Sequence, residues 1–356
     1  MPFLNVCGYA LGVLLVALGA AYAEAQRYDT QLIGGADLVY SSSFNQPPGF
    51  ERDYTLQPSV NGRTGIMQSD IGIIARGSGI QASVVIQQGW FADANYTGDD
   101  RSLRYLQQAW LGVDLSNDFT LRAGIMPSHI GYESINARDN ALLSRLFCSD
   151  ATPYFETGAS LQWKASSALT AEVLVLNGWQ RIVATNRDIC YGSRLVYRPD
   201  STITVNWSTF YGNMNDRSLE PSMRLYNNFW AEWMPVPEVQ VVGIFDVGTQ
   251  QLVGGSTART WCAALVGSWR PSPNWRIASR IEHFSDPSSL LFAAPAPTGF
   301  STTSLSANID WEAQRSLTLR AELRGMFAAS PIFRDRTGVS AQDVFVTFAA
   351  SYRITR

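Results

Sequence analysis

The sequence contains two histidines, His129 and His283, and these are its only candidates for an imidazole general base. Ser285 follows His283 by two residues. His129 lies in a polar segment, and we interpret it as a solvated loop residue. The cysteines and histidines show no spacing typical of metal ligands. These patterns predict a protein without enzyme activity, metal or cofactor.

Charged residues alternate with apolar residues along several runs. In residues 319–324, Leu-Arg-Ala-Glu-Leu-Arg, every second side chain is charged. An extended strand would place those charges on one face and the apolar side chains on the other. Unpaired charges are expensive in a dry core and cost little in water. The sequence therefore predicts a water-filled channel lined by Arg122, Arg276, Arg280, Glu282, Arg320, Glu322 and Arg324.

The elements that would position these charges are strands of alternating polarity. In residues 261–270, Trp261, Leu265 and Trp269 share one face, and Cys262 lies on the other. At roughly 3.3 Å per residue and a tilt near 40°, the two tryptophans lie about 20 Å apart along the membrane normal, close to the spacing of aromatic girdles. A soluble sandwich or jelly roll shows similar alternation without that spacing. Further aromatic residues predicted on the lipid face are Trp90, Trp163, Tyr191, Tyr197, Trp207, Tyr211, Trp233 and Trp311.

Short turns and long polar loops alternate along the chain, which is typical of an up-and-down barrel. Residues 76–79, Arg-Gly-Ser-Gly, are one such turn, and strands are predicted on either side of it. Other strands are predicted at 80–90 and 103–115. The fold class predicted is all-β, a transmembrane antiparallel β-barrel of about sixteen strands, within a range of roughly twelve to eighteen.

The amino-terminal segment predicts export. Residues 10–23 are apolar apart from glycines, and small residues follow, so we interpret residues 1–25 as a signal peptide cleaved after Ala25. A single membrane-anchoring helix is the alternative. Residues 26–356 would form one barrel domain. With Glu24 removed, 27 basic residues face 29 acidic ones, which gives no electrostatic case for nucleic acid.

Three cysteines remain after cleavage. Cys148 and Cys190 fall in neighbouring predicted external loops and could form a disulfide in an oxidising envelope. Cys262 would stand alone on a strand and face the lumen. Two unpaired thiols at Cys148 and Cys190 are an equal alternative.

Residues 127–153 form the longest interruption between strands. A loop of this length usually has a function or is disordered, and its third position among the external loops predicts that it folds inward and narrows the channel. Residues 140–147 could form a short helix there. The side chains predicted at the constriction are His129, Glu133, Arg138, Asp139, Arg145 and Asp150.

Three short motifs resemble those of the OmpL-like β-barrel porin family. They are Leu-Arg-Ala-Gly-Ile-Met-Pro at 121–127, Gly-Tyr-Glu at 131–133 and Val-Leu-Asn-Gly-Trp at 175–179. The strand pattern extends the likeness over nearly the whole mature chain. The resemblance implies an outer-membrane channel for small solutes and no ligand or catalytic residue. The chain departs from bacterial barrels of this kind at its end, where Ile354-Thr355-Arg356 replaces the usual terminal aromatic residue.

These observations predict an outer-membrane porin for passive diffusion of small hydrophilic solutes. Its predicted partners are outer-membrane lipid and the solutes. The sequence leaves open whether the chain forms a homotrimer. One alternative is a barrel that acts as an adhesin or receptor through its extracellular loops. Another is a lipid hydrolase, because His283-Phe284-Ser285 is similar to the His-x-Ser of outer membrane phospholipase A, although the residues that follow differ from that family.

Overall fold

The computed structural model describes residues 28–185, 188–216, 219–252, 254–294 and 299–354, so the predicted signal peptide lies outside the described residues. Sixteen antiparallel strands close into a barrel, which confirms the predicted fold class. The wall strands are β1 (Asp29–Ser43), β2 (Arg63–Gly77), β3 (Ile80–Gln88), β4 (Leu106–Asp114), β5 (Phe119–Pro127), β6 (Phe155–Lys164), β7 (Leu169–Leu176), β8 (Cys190–Tyr197), β9 (Ile203–Asn213), β10 (Met223–Val236), β11 (Val239–Gln251), β12 (Thr257–Ser272), β13 (Trp275–Asp286), β14 (Phe300–Gln314), β15 (Leu317–Ala328) and β18 (Gln342–Arg353).

Small elements lie in the loops. β16 (Phe333–Arg334) and β17 (Val339–Ser340) form a hairpin that is not part of the barrel wall. β18 pairs with both β15 and β1 and so closes the barrel. Two short helices are present, α1 (Trp90–Asn95) and α2 (Phe147–Asp150), with a 3₁₀ turn at Ala137–Asp139. None of the helices in the described ranges is long and apolar enough to cross a membrane.

The turn between β2 and β3 shows how local chemistry sets the hairpins. Ser78 and Gly79 link the strands with φ angles of 52° and 75°. A two-residue turn with positive φ at both positions matches the right-handed twist of its flanking strands. The hairpin predicted at residues 76–79 is thus confirmed.

The alternation along β12 also agrees with the prediction. Trp261, Leu265 and Trp269 are exposed on the outer face, whereas Cys262 and Val266 are buried inside. Aromatic rings are stacked on the outer face near the short-turn end of the barrel. One pair lies across the adjacent strands β5 and β6, and another lies across β13 and β14. The stacked pairs are Phe119 with Trp163, at 6.0 Å between ring centroids, and Trp275 with Trp311, at 6.1 Å.

Trp90 is not on the lipid face, contrary to the prediction. β3 ends at Gln88, Gly89 takes a φ of 122°, and Trp90 begins α1. It packs against a buried cluster that includes Val39, Met67 and Leu143, inside the barrel. The strand predicted at 103–115 is likewise shorter at both ends than expected.

The lumen contains a packed apolar cluster as well as polar side chains. The expectation of a channel in place of a side-chain core is therefore wrong for this part of the barrel, because the third loop brings its own apolar residues inside. Members of the cluster include Leu142, Leu146, Phe147, Val242, Ile244, Cys262, Val266, Phe284, Phe300, Met326 and Phe345.

Candidate functional site: the loop inside the barrel

Residues 128–154, here called the inward loop, connect β5 to β6 and lie inside the barrel, as predicted. The short helix expected at 140–147 is wrong, since the loop has helical turns only at Ala137–Asp139 and Phe147–Asp150. Between those turns, backbone groups of Asn140, Ser144 and Arg145 are bonded to side chains of the barrel wall. A backbone satisfied by wall side chains has no need of helical hydrogen bonds.

Arginines of β13 and β15 form the first half of this attachment by donating hydrogen bonds to carbonyl groups of the loop. The guanidinium N–H groups point into the barrel and donate to the carbonyl oxygens of four loop residues. The bonds are Arg320 Nη1 to Ala137 O (2.7 Å), Arg320 Nη2 and Arg276 Nη2 to Asn140 O (2.9 Å each), Arg280 Nη1 to Ser144 O (2.8 Å) and Arg324 Nη1 to Arg145 O (2.8 Å).

Two wall carboxylates form the second half by accepting from loop N–H groups. Glu322 accepts from the Ser144 N–H at 2.6 Å, and Glu282 accepts from the Phe147 N–H at 2.7 Å. Glu282 also lies 2.7 Å from Arg324, so one buried carboxylate joins the wall cation to the loop backbone. Hydrogen bonds to ionised groups are among the stronger ones in proteins.

Most residues predicted to line water are therefore buried beneath the loop. The side chains of Arg280, Glu282 and Arg324 have no exposed surface, and Arg320 and Glu322 are also buried. These five hold the loop in place instead of lining a channel. Arg122 and Arg276 keep 24% and 17% of their side-chain surface exposed.

The residues predicted at the constriction also form ion pairs within the protein. Asp139 is exposed and pairs with Arg353. The other side chains point into packed interior and make ion pairs there, so they do not present free charge to a channel. These buried side chains are His129, Glu133, Arg138, Arg145 and Asp150.

Arg138 attaches the loop to the adjoining part of the wall, since only β18 separates β1 from β15. It forms ion pairs with Asp37 of β1 and Asp70 of β2, and all three side chains are buried. The inward loop is thus held along one continuous stretch of wall by bonds to β1, β2, β13 and β15.

The predicted disulfide between Cys148 and Cys190 is wrong. Cys148 of α2 is bonded to Cys262 of β12, with 5.8 Å between their Cα atoms. Cys190 is a free, buried thiol. Cys262 faces the lumen as expected but does not stand alone, because the inward loop carries Cys148 across the barrel to it.

Cavities lie on both sides of the inward loop. One of about 380 Å³ is at the end with the short turns and is lined by Asp139, Pro237 and Arg276, among others. Two more, of about 330 and 590 Å³, lie among the long loops and share Asp150. Neither of these two has a lining residue in common with the first cavity.

A family model described as "Putative beta-barrel porin-2, OmpL-like" matches residues 29–354 of this sequence. The chain belongs to this porin family. The resemblance seen in the sequence motifs is thereby confirmed. No curated protein matches the sequence.

Solved structures of similar fold include several channels. The anion-selective porin from Comamonas acidovorans has a TM-score of 0.62 and 11% identity, over 92% of this chain and 100% of that one. The outer membrane channel DcaP of Acinetobacter baumannii has a TM-score of 0.62 and 10% identity, over 92% and 98%. OmpT of Vibrio cholerae, in its trimer form, has a TM-score of 0.57 and 9% identity, over 92% and 100%. At these identities the likeness shows the fold alone.

His129 of this porin is buried, not solvated as expected. Its Nδ1 lies 2.6 Å from Glu156 and its Nε2 lies 2.7 Å from the carbonyl oxygen of Thr209. A carbonyl only accepts hydrogen bonds, so Nε2 carries a proton. Burial lowers the pKa of His129, but the Glu156 carboxylate outweighs that effect, and the net pKa is raised. His129 therefore fixes the start of the inward loop to β6 and β9.

Gly192 of β8 leaves room for the His129 ring, a role that sequence reasoning missed. A Cβ at Gly192 would lie 2.7 Å from two ring atoms of His129. The ring is bonded on both sides and has little freedom to move away. We expect Gly192→Ala to lower the free energy of unfolding by about 1–3 kcal/mol, measured by urea titration of the porin in lipid vesicles.

Gly243→Ala on β11 is the matched control, because a Cβ there would meet no atom within 4 Å. It should leave the unfolding midpoint nearly unchanged. An equal effect of the two substitutions would show that His129 is not held against β8 as described.

His283 lies on the outer face of the porin. Its ring centroid is 5.0 Å from that of Trp261, and its Nδ1 lies 2.9 Å from the Thr303 hydroxyl. These contacts place it among interfacial aromatic residues and do not join it to Ser285. Within the described residues, there is also no group of His, Cys, Asp and Glu side chains that could hold a metal ion.

Proposed function

We propose that this porin is a passive, non-enzymatic diffusion channel for small hydrophilic solutes in the outer membrane, narrowed by the inward loop. The observation that carries the proposal is the position of that loop, which separates a cavity at the short-turn end from two cavities among the long loops. Solutes would collect in the outer cavities and leave through the inner one.

The route past the loop would follow the wall formed by β4 to β8. The loop is bonded to β13 and β15, where the wall charges are buried. On the other side, inward side chains keep partial exposure to water. These residues are Gln108, Trp110, Arg122 and Arg194.

A homotrimer would suit this barrel, and the side formed by the short strands is the candidate contact surface. β7 and β8 have 8 residues each, whereas β12 has 16. At roughly 3.3 Å per residue and a 40° tilt, eight residues cover about 20 Å, less than the ~30 Å of a hydrocarbon core. Neighbouring subunits would cover the low part of the wall. OmpT of Vibrio cholerae, a protein of similar fold, has been solved as a trimer.

A barrel that binds a partner through its extracellular loops is the second candidate. It is favoured by the same cavities, because none of the three has lining residues on both sides of the inward loop. A barrel closed in this way could act as an adhesin or receptor without transport.

Single-channel recording in planar lipid bilayers separates the two functions. The diffusion channel should give stable conductance steps on insertion of the purified porin. Insertion of folded protein without any conductance step would contradict the channel and favour the loop-binding barrel. Heat-modifiable migration in gels would establish that the inserted protein is folded.

A further inference from the structure

Two buried arginines of this porin have no carboxylate partner among the residues that the structure describes. Among the described arginines with buried side chains, five form ion pairs, namely Arg138, Arg145, Arg280, Arg320 and Arg324. Arg52 and Arg224 are equally buried, but neither lies within 4 Å of a carboxylate in the described part of the chain. Removing a guanidinium from water is costly unless an anion compensates for it. An unpaired buried arginine beside a cavity therefore points to an anion that comes from outside the protein.

Arg224 is held in place at the outer end of β10. Its Nε donates to Gln250 at 2.8 Å, and its Cζ lies 4.7 Å from the ring centroid of Trp179. Trp179 is itself fixed by edge contacts with Phe210 and Tyr226. The two terminal nitrogens of Arg224 have no hydrogen-bond partner among the described residues. They form the free end of a rigid, planar donor group, which suits a carboxylate or phosphate.

Arg224 lines the outer cavity of about 330 Å³. Arg181 lines it too; it donates to the carbonyl oxygen of Gly98 and forms no ion pair with a described residue. Neutral polar groups complete much of the wall, and two carboxylates, Asp99 and Asp150, also border it. The neutral polar residues are Asn95, Thr97, Thr152, Asn177 and Gln180.

The two carboxylates are already engaged. Asp99 accepts from the backbone N–H groups of Ile182 and Val183. Asp150 accepts from the Leu56 N–H and the Tyr154 hydroxyl and lies 3.8 Å from Arg145. Asp286 is near enough to interact electrostatically with Arg224, but no carboxylate of the described residues lies within 4 Å of its guanidinium, whose terminal nitrogens stay available to a ligand.

We propose that this outer cavity is a binding site for a small solute that carries a carboxylate or phosphate group, with Arg224 as its principal ligand. This inference rests on the proposed function in one respect, because it names the class of solute that the channel would take up from outside. The binding itself does not require an open channel.

Equilibrium dialysis with radiolabelled inorganic phosphate tests the site on the purified, folded porin in a neutral detergent. We expect saturable binding of one phosphate per chain. Arg224→Gln should weaken that binding at least about tenfold, as expected for loss of a charge-assisted hydrogen bond. Arg224→Lys, which keeps the charge but loses the fork, should weaken it less. Absence of saturable binding to the wild-type porin would overturn the proposal.

Arg198→Gln is the matched control, since Arg198 is an exposed arginine beside the short turn between β8 and β9. It removes the same charge far from the cavity and should leave phosphate binding unchanged. Equal loss in the Arg198 and Arg224 variants would overturn the site, because only net charge would then matter. Gel migration shows which variants are folded, and if Arg224→Gln fails to fold, Arg224→Lys decides the outcome.

A second arm distinguishes free solutes from lipid headgroups. The porin is placed in zwitterionic vesicles and in vesicles that contain an anionic phospholipid. Equal phosphate binding in both supports a free solute, whereas competition by the anionic lipid supports a headgroup at the same site. Conductance is measured separately, so phosphate binding without conductance would contradict the channel, and conductance without binding would contradict the site.

Discussion

Replacement of Glu282 with alanine should destabilise the folded porin by about 3–5 kcal/mol, the range expected when one partner of a buried ion pair is removed. Glu282 is fully buried, lies 2.7 Å from Arg324 and 3.3 Å from Arg280, and accepts from the Phe147 N–H. Its loss leaves two buried cations short of negative charge and one loop N–H without an acceptor. Urea titration in lipid vesicles, followed by tryptophan fluorescence, measures the change.

Glu312→Ala is the matched control for this experiment. Glu312 also pairs with an arginine, Arg270, at 2.9 Å, but about two-fifths of each side chain is exposed. Exposed pairs contribute roughly 0–1 kcal/mol, so this variant should unfold almost as the wild type does. If Glu282→Ala proved no more damaging than Glu312→Ala, the wall charges would not be holding the inward loop.

Removal of the disulfide between Cys148 and Cys262 is expected to have the second large effect. The bond closes a segment with a sequence separation of 114 residues. The chain-entropy model gives a stabilisation of more than 4 kcal/mol for such a loop, and measured values are typically about 2–4 kcal/mol. The double variant Cys148→Ser/Cys262→Ser should therefore unfold at lower urea concentration than the oxidised wild type.

A reductant provides the internal control. Reduced wild-type porin should approach the stability of the double variant, while the double variant itself should not respond to reductant. A response of the double variant would show that the reductant acts on a disulfide other than the one between Cys148 and Cys262, since Cys190 is a free thiol. Mass spectrometry of the oxidised protein after proteolysis would identify the linked cysteines directly.

The barrel was predictable because its signal is local. Alternation on β12 separates Trp261 and Trp269 from Cys262 and Val266 whatever the strand's neighbours are, and the structure keeps that division. Turn chemistry is equally local, as Ser78 and Gly79 show. Trp90 was wrongly predicted to lie on the outer face. A single glycine, Gly89, ends the strand just before Trp90, so Trp90 does not take the outward position that the alternation would give it.

The interior was less predictable, because it depends on which distant residues meet. The alternation of Arg280, Glu282 and Arg324 indicates only that these side chains point inward. It does not indicate whether they meet water or protein, and the inward loop supplies protein. Gly192 carried no signal in the sequence, since its role exists only where His129 crosses to β8.

The amino-acid sequence by itself therefore determined the class of fold, the approximate number of strands and the presence of a long third loop, since each follows from patterns within a few residues. Tertiary structure alone decided that Cys148 bonds to Cys262 and that the wall charges bind the loop backbone. The physical reason is that closing the barrel and folding the loop into it bring together groups more than a hundred residues apart, and buried charges and thiols take the partners that this arrangement provides.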